Sequence, residues 1–210
     1  MSWIDEAIER YAEEHSTPSP DLFARLGEET RATQNAPQMM VGQLEGAFLS
    51  FIVGLKQPRL VLEIGTFTGW SSIAMALSLP TGGRIVTCDV NQETTAIARR
   101  YAEEAGVADR IEYLLGPAIQ TIASLGGPFD LVFIDADKPG YIDYYEAVLP
   151  KLAEHGVILA DNTLASGDVL APSGEMAVAI AAFNDHVRAD ERVECVLLTV
   201  RDGVTLIRRR

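Results

Sequence analysis

Apolar positions fall into three regimes along the chain, and each predicts a different kind of element. In the first third they recur at helical spacing: Ile4, Ile8 and Tyr11 share one face, and Ser19-Pro20 offers a cap followed by proline at the first helical position. Val41, Leu44, Phe48, Phe51, Ile52 and Leu55 form a second amphipathic stripe, which Lys56-Gln57-Pro58 stops. From Leu60 onward, short apolar runs alternate with helical segments: Leu60 to Ile64, Arg84 to Cys88, Ile111 to Leu115, Leu131 to Ile134 and Val157 to Ala160. That alternation predicts a parallel sheet covered by helices on both faces. The intervening helices carry their own stripes, one of Ile97, Ala98, Tyr101 and Ala105 closed by Gly106, another of Tyr141, Tyr145, Leu149 and Leu152.

The end of the chain changes again. Arg192 to Val200 and Val204 to Arg208 are rich in β formers and joined at Asp202-Gly203, a tight-hairpin signal, so the sheet should finish with an antiparallel pair. Asp161 to Gly174 collects turn formers and reads as a surface loop near the strand ends, where doubly wound sheets bind ligands. The expectation is an α/β, doubly wound domain with a seven-stranded mixed sheet. It spans 1–210 as one unit, with helices over 1–57 covering the site and a core over 58–210.

Charge narrows the partners. Acidic residues number 30 against 17 basic, and a net charge of -13 opposes a phosphate backbone or an anionic membrane surface. Nucleic acid and membrane are therefore not expected partners. The one basic run, Arg208 to Arg210, reads as a solvated tail. No segment is expected to span a membrane, and the acidic N-terminus does not resemble a signal peptide. Cys88 and Cys195 are the only cysteines and sit in apolar strand-like runs, which suits a reducing, cytoplasmic setting.

Two strand exits carry the chemistry. Glu63-Ile-Gly65-Thr-Phe-Thr-Gly69-Trp-Ser71 joins a strand to a helix, and glycines there let a ligand approach the backbone. A dinucleotide fingerprint would need glycine where Phe67 stands, so pyrophosphate would be crowded. Asp89, at the next strand end, can accept hydrogen bonds from a ribose diol. Glu63 adds negative charge that repels phosphate and suits a sulfonium cofactor bearing an ammonium group. S-adenosylmethionine fits these residues better than NAD. In a plainer reading Glu63 lies at the surface, Asp89 caps a helix and the glycines only ease packing.

The second exit, Phe129-Asp-Leu-Val-Phe-Ile-Asp135-Ala-Asp137-Lys138, ends an apolar strand in a burst of charge, and Val157-Ile-Leu-Ala160-Asp161-Asn162 repeats the arrangement on the expected neighbour. Asp135, Asp161 and Asn162 would converge as an all-oxygen set suited to a hard cation such as Mg²⁺. Three protein ligands leave about three positions, two of which adjacent catechol hydroxyls could fill. Lys138 is placed to accept a hydroxyl proton, or to serve as a countercharge. Carboxylates at strand ends also cap helices and form turns. His15, His155 and His186 lack metal-ligand spacing and are expected to be structural or exposed.

Taken together, Gln43-Leu-Glu-Gly-Ala-Phe48, Leu62-Glu-Ile-Gly-Thr-Phe-Thr-Gly-Trp-Ser71, Cys88-Asp-Val-Asn91, Gly116-Pro-Ala118, Phe133-Ile-Asp-Ala-Asp-Lys138, Asp161-Asn-Thr-Leu164 and Asp202-Gly-Val-Thr-Leu206 resemble the cation-dependent O-methyltransferase family of caffeoyl-CoA and catechol O-methyltransferases. The resemblance covers nearly the whole chain and implies the class I methyltransferase fold. It implies cofactor contacts at Val41, Glu63, Gly65, Thr66, Ser71, Asp89, Ala118 and Asp137, metal ligands at Asp135, Asp161 and Asn162, Lys138 as general base, and a homodimer. Ala165-Ser166 stands where plant members carry Trp-Asn, and the segments after Asp161 and at Leu125 to Pro128 are short. A small catechol-like phenol is then favoured over a coenzyme A thioester as acceptor. The rival readings are an NAD-dependent oxidoreductase, which Phe67 disfavours, and a non-catalytic S-adenosylmethionine- or metal-binding regulator, which Lys138 disfavours.

Overall fold

Successive residues of the strand Leu60–Ile64 (β1) face opposite sides of a sheet, and each side is buried in its own core. Val61 points to one core, while Leu62 and Ile64 point to the other; all three are fully buried. Leu131 and Phe133 against Val132 and Ile134 repeat this alternation in Phe129–Ile134 (β4). Both faces being apolar is what a central parallel strand needs, and each such side chain contributes about 1.5–3 kcal/mol on burial.

The computed structural model describes residues 4–210. The other strands are Arg84–Asp89 (β2), Ile111–Leu115 (β3), Leu152–Asp161 (β5), Val193–Leu198 (β6) and Val204–Arg209 (β7). They form one seven-stranded sheet in the order β3-β2-β1-β4-β5-β7-β6. The first five are parallel, with Val61 level with Ile85 and Leu131, and β7 runs antiparallel to both β5 and β6. The chain order reverses between β1 and β4, so their C-terminal ends open the crevice in which such sheets bind ligands.

The helices are Glu6–Glu14 (α1), Asp21–Thr33 (α2), Gly42–Lys56 (α3), Trp70–Leu77 (α4), Gln92–Glu104 (α5), Ala118–Ser124 (α6), Tyr141–Val148 (α7) and Glu175–Ala189 (α8). Residues from α2 to α5 build one core, and residues from α6 to α8 build the other. Edge-to-face contacts of Tyr141 and Tyr145 with Phe183, at ring-centroid distances of 5.4 and 6.3 Å, lock α7 to α8. The expected doubly wound, seven-stranded fold and its C-terminal antiparallel pair are as read from the sequence.

Several local expectations need correction. The buried face of α3 is Glu45, Gly46, Leu49 and Val53, not the stripe through Phe51 and Leu55, which stay 67% and 69% exposed. Val41 precedes the helix as its cap. Gly46 decides the orientation: a Cβ there would lie 2.7 Å from the Trp70 indole nitrogen, so only this face lets α3 approach α4 closely. Pro37–Lys56 is also long and apolar enough, by length and composition alone, to cross a membrane, and Leu49 and Val53 within it are buried in the protein core. No residue of α1 is buried, and Ile8 and Tyr11 are exposed. Pro20 is the cap residue of α2, not its first helical residue.

The stripe through Tyr141 and Tyr145 ends at Val148: Leu149 lies on a short 3-10 turn and Leu152 already begins β5. Asp161 closes that strand instead of opening a loop, and Ala165–Leu170 forms a kinked 3-10 segment. Of the two cysteines, Cys88 is buried and Cys195 exposed. The basic run is not a free tail, because Arg208 pairs with Glu194 and Arg209 donates to the Leu149 carbonyl. Nor is Asp202-Gly203 a two-residue turn. The strands end at Leu198 and restart at Val204, and the link folds onto the exit of β5: Thr163 and Leu164 N–H donate to the carbonyls of Gly203 and Asp202 at 3.0 and 2.8 Å.

Candidate active site

Gly65 is where the exits of β1 and β4 cross. It sits at φ +101°, and a Cβ would lie 1.9 Å from the Asp135 carbonyl oxygen, so no other residue fits without moving one strand. Beyond it the backbone turns so that Thr66 and Phe67 N–H donate to Asp89 Oδ2 at 3.0 and 2.8 Å, while Asn91 N–H donates to Oδ1 at 2.8 Å. The amides that would cradle a pyrophosphate are thus already turned on a carboxylate. That arrangement rejects phosphate and leaves the remaining lone pairs of Asp89 for hydroxyl donors.

Glu63 lies beneath this turn, fully buried, and accepts from Ser71 Oγ at 2.5 Å and from Ser72 Oγ. Burial pushes its carboxyl up to about 7, against the lowering effect of the hydroxyls. It does not line the cavity; Ser71 does. Any influence of Glu63 on a ligand therefore passes through Ser71 or acts as charge at a distance. Thr66 is held from the side by a 2.6 Å hydrogen bond with Thr87.

The second half of the site lies over β4 and β5. Lys138 Nζ donates to Asn162 Oδ1 at 2.6 Å, Tyr141 Oη at 2.7 Å and Asp135 Oδ1 at 3.1 Å. Asp161 is 3% exposed, and burial, then Asp135, raise its carboxyl to about 7. Asn162 adopts a left-handed φ of +55°, tolerable for asparagine, which turns its amide back beside Lys138. The ammonium of Lys138 thus occupies the gap between Asp135 and Asn162 and stands in for a cation there. Two carboxylates and an amide carbonyl are the donor set a hard divalent ion requires, so these residues fit one. Among the described residues no three His, Cys, Asp or Glu side chains converge closely enough to hold a metal by themselves.

Both halves open into one cavity of about 600 Å³. Of the positions singled out in the sequence, Val41, Gly65, Thr66, Ser71, Asp89, Ala118, Asp135, Asp137, Lys138, Asp161 and Asn162 all line it; only Glu63 does not. Asp137 is oriented by Tyr144 Oη at 2.5 Å. With β1 between β2 and β4, Asp89 and Asp135 stand two strand spacings apart, roughly 10 Å. A nucleoside held at Asp89 can therefore aim a substituent at the Asp135 side. The three histidines play no part; His155 is exposed and His186 pairs with Glu146 at 2.7 Å.

Sequence reasoning missed Met40, Met176, Tyr141, Glu45 and Arg201. Met40, Met176 and Arg201 line the cavity. Tyr141 is fully buried and its hydroxyl also bonds the carbonyls of Asp161 and Ile134 at 3.0 and 3.2 Å. Burial, followed by the charges of Asp135 and Asp161, holds its phenol well above the usual tyrosine range. Arg201, from the β6–β7 link, donates to Glu45 Oε2 at 2.9 Å and lies 3.6 Å from Glu9, drawing α1 and α3 over the site. The available signals were Glu45, a lone acid in an apolar helix, and the tyrosine one helical turn after Lys138.

A doubly wound sheet whose strand ends open into one cavity, with Asp89 on one side and the oxygen-rich cluster around Lys138 on the other, has the form of a nucleoside-binding enzyme. The comparisons say which: residues 13–210 match the O-methyltransferase family, and the chain belongs to that family. It is an S-adenosylmethionine-dependent O-methyltransferase. The chain is 40% identical over 179 residues to caffeoyl-CoA O-methyltransferase 1 of Zea mays, covering 79% of this chain and 69% of that one. Among solved structures, the Podospora anserina methyltransferase PaMTH1 bound to S-adenosylhomocysteine superposes with a TM-score of 0.91 at 31% identity, covering 100% of this chain and 98% of that one. A Bacillus cereus O-methyltransferase, also in complex with S-adenosylhomocysteine, gives a TM-score of 0.89 at 30% identity, with 97% of each chain covered.

Proposed function

We propose that this enzyme methylates one hydroxyl of a small catechol-like phenol and needs a divalent cation, Mg²⁺ being the expected one. The observation that carries the reading is the bridge of Lys138 between Asp135 and Asn162, which sets a proton acceptor within a cation-type oxygen set. When bound, the sulfonium supplies the methyl electrophile and the cation supplies the Lewis acidity that eases ionisation of a hydroxyl. Asp135, Asp161 and Asn162 would hold the cation. Asp89 would hold the ribose diol, and Ser71 and Asp137 would flank the amino-acid end.

All three ammonium protons of Lys138 are engaged in the free site, so Lys138 must release one to solvent before acting as base. It then takes the acceptor's hydroxyl proton. The acceptor oxygen forms its bond to the methyl carbon as the carbon–sulfur bond breaks, leaving S-adenosylhomocysteine. Alignment of the two reactants by the walls of the cavity removes orientational freedom and lowers the barrier.

The acceptor is read as small because Ala165 and Ser166, both at positive φ in a tight 3-10 segment, offer no large side chain beside Asn162. The maize relative is named for a coenzyme A ester; this chain is expected to prefer the free phenol. A homodimer is supported by the apolar strip of Phe51, Leu55 and Leu77 exposed on α3 and α4. Two free cysteines support a cytoplasmic setting. Turnover with labelled S-adenosylmethionine and a panel of catechols, monophenols and thioesters, before and after chelation, tests the reading. Full activity after rigorous removal of divalent ions would overturn the cation requirement, and methylation confined to monophenols would overturn the catechol assignment.

A further inference from the structure

Glu45 is an acid in the apolar helix α3, and its side chain is 1% exposed. One of its oxygens, Oε2, is held by Arg201 at 2.9 Å. The other, Oε1, receives no hydrogen bond from any donor. A buried carboxylate oxygen without a partner costs on the order of 1–3 kcal/mol or more, so its retention calls for an explanation. What lies within hydrogen-bonding reach of Glu45 is another carboxylate, Asp161, with Asp135 beyond it. Two facing carboxylates are held together only by a shared proton or by a positive charge close to both. Arg201 pairs with Oε2 of Glu45 and Lys138 pairs with Asp135, and neither cation forms a direct ion pair with Asp161.

We propose that Glu45 is a positioning residue of the cation site, with its free Oε1 accepting a hydrogen bond from a water in the shell of the ion held by Asp135, Asp161 and Asn162. The proposal rests on the cation reading above. Glu45 is placed outside the ligand set because Glu45, Asp135 and Asp161 do not converge closely enough to share one ion directly. Arg201 gives the arrangement its rigidity: it fixes Oε2, so Oε1 keeps its aim, and it joins α3 to the link that also braces Thr163 and Leu164 next to Asn162. Outer partners of this kind orient the ligand they touch and typically change metal affinity about ten- to a hundredfold when removed.

The test is Mn²⁺ binding followed by calorimetry and by the electron paramagnetic resonance spectrum of the bound ion, neither of which requires turnover. Glu45→Gln keeps the shape and removes the charge; it should weaken Mn²⁺ binding at least about tenfold and alter the spectrum of the bound ion, with S-adenosylhomocysteine affinity within about twofold of wild type. If Glu45→Gln does not fold, Glu45→Asp carries the test, since it keeps the charge but withdraws it from the site and should also bind Mn²⁺ more weakly. Asp161→Ala is the control for the site itself. Wild-type affinity and an unchanged spectrum in a folded Glu45 variant, while Asp161→Ala loses the ion, would overturn the role of Glu45 and leave the cation reading standing. No Mn²⁺ binding by the wild type would overturn both.

Discussion

The ammonium of Lys138 donates to the buried hydroxyl of Tyr141 at 2.7 Å. That hydroxyl also bonds the carbonyls of Asp161 and Ile134, so one side chain ties the proposed base to the ends of β5 and β4 together. Tyr141→Phe should free the lysine and lower kcat by roughly tenfold, the equivalent of about 1.5 kcal/mol for a hydrogen bond to a charged group. Steady-state kinetics with a catechol, run beside thermal melts, check this. A loss of stability with unchanged kcat would reduce Tyr141 to a brace between strands.

Lys138→Met should lower kcat by about 10²- to 10⁴-fold at neutral pH, the usual contribution of a general base, and leave S-adenosylhomocysteine binding nearly unchanged. Alkaline pH should partly restore the variant, because solvent can then ionise the acceptor. Near-normal kcat across neutral pH would make Lys138 a countercharge for Asp135 and nothing more.

Asp89→Ala should weaken S-adenosylhomocysteine binding by at least about tenfold, since Asp89 lines the cavity with lone pairs left for ribose hydroxyls and each lost charged hydrogen bond is worth about 1.5–3 kcal/mol. The substitution also releases the Thr66 and Phe67 amides, so a modest drop in melting temperature is expected with the fold retained. Titration calorimetry decides it: unchanged affinity would remove Asp89 from the site. NAD should give no binding heat to the wild type.

Glu63 makes a prediction about pH. Its carboxyl is raised from 4.5 to about 7 in the folded chain, so between those values the folded form holds a proton that the unfolded form has lost. Stability should therefore fall as pH rises from about 4.5 to about 7 and level off above. Glu63→Gln removes that share of the slope and should be more stable than wild type above pH 7 by up to about 3 kcal/mol, with little difference below pH 4.5. Asp161 slopes the same way in the free enzyme, so the variant flattens the profile only in part. Denaturant melts at pH 5 and pH 8 provide the comparison; equal stability differences at the two pH values would show that Glu63 is not protonated in the folded state.

The strands were legible because their signal is local. A run such as Leu131 to Ile134 is apolar at every position, which suits a strand buried on both faces, and its sudden ending in Asp135-Ala-Asp137-Lys138 marks the edge where a ligand can sit. The turn at Gly65 was legible as a glycine-rich strand exit, whereas its tight fit against the Asp135 carbonyl is set by the crossing of β1 and β4. Chain order then places Asp89, Asp135 and Asp161 on one edge of the sheet, so most of the cavity wall followed from motif and topology.

What lay beyond the sequence were contacts between elements far apart in the chain. Because α3 is apolar on nearly every side, its period could not say which face turns inward; Gly46 against Trp70 decided it, and that choice buried Glu45. Arg201 reaches Glu45 across 156 positions, a pairing no local pattern encodes. The Asp202-Gly203 signal was real, but tertiary packing used it to brace Thr163 and Leu164 and not to close a two-residue hairpin. Residue types at strand ends determined which chemistry is available, whereas the packing of α3, α7 and the β6–β7 link determined which charges meet, because buried charges interact through space and at distances that only the folded chain sets.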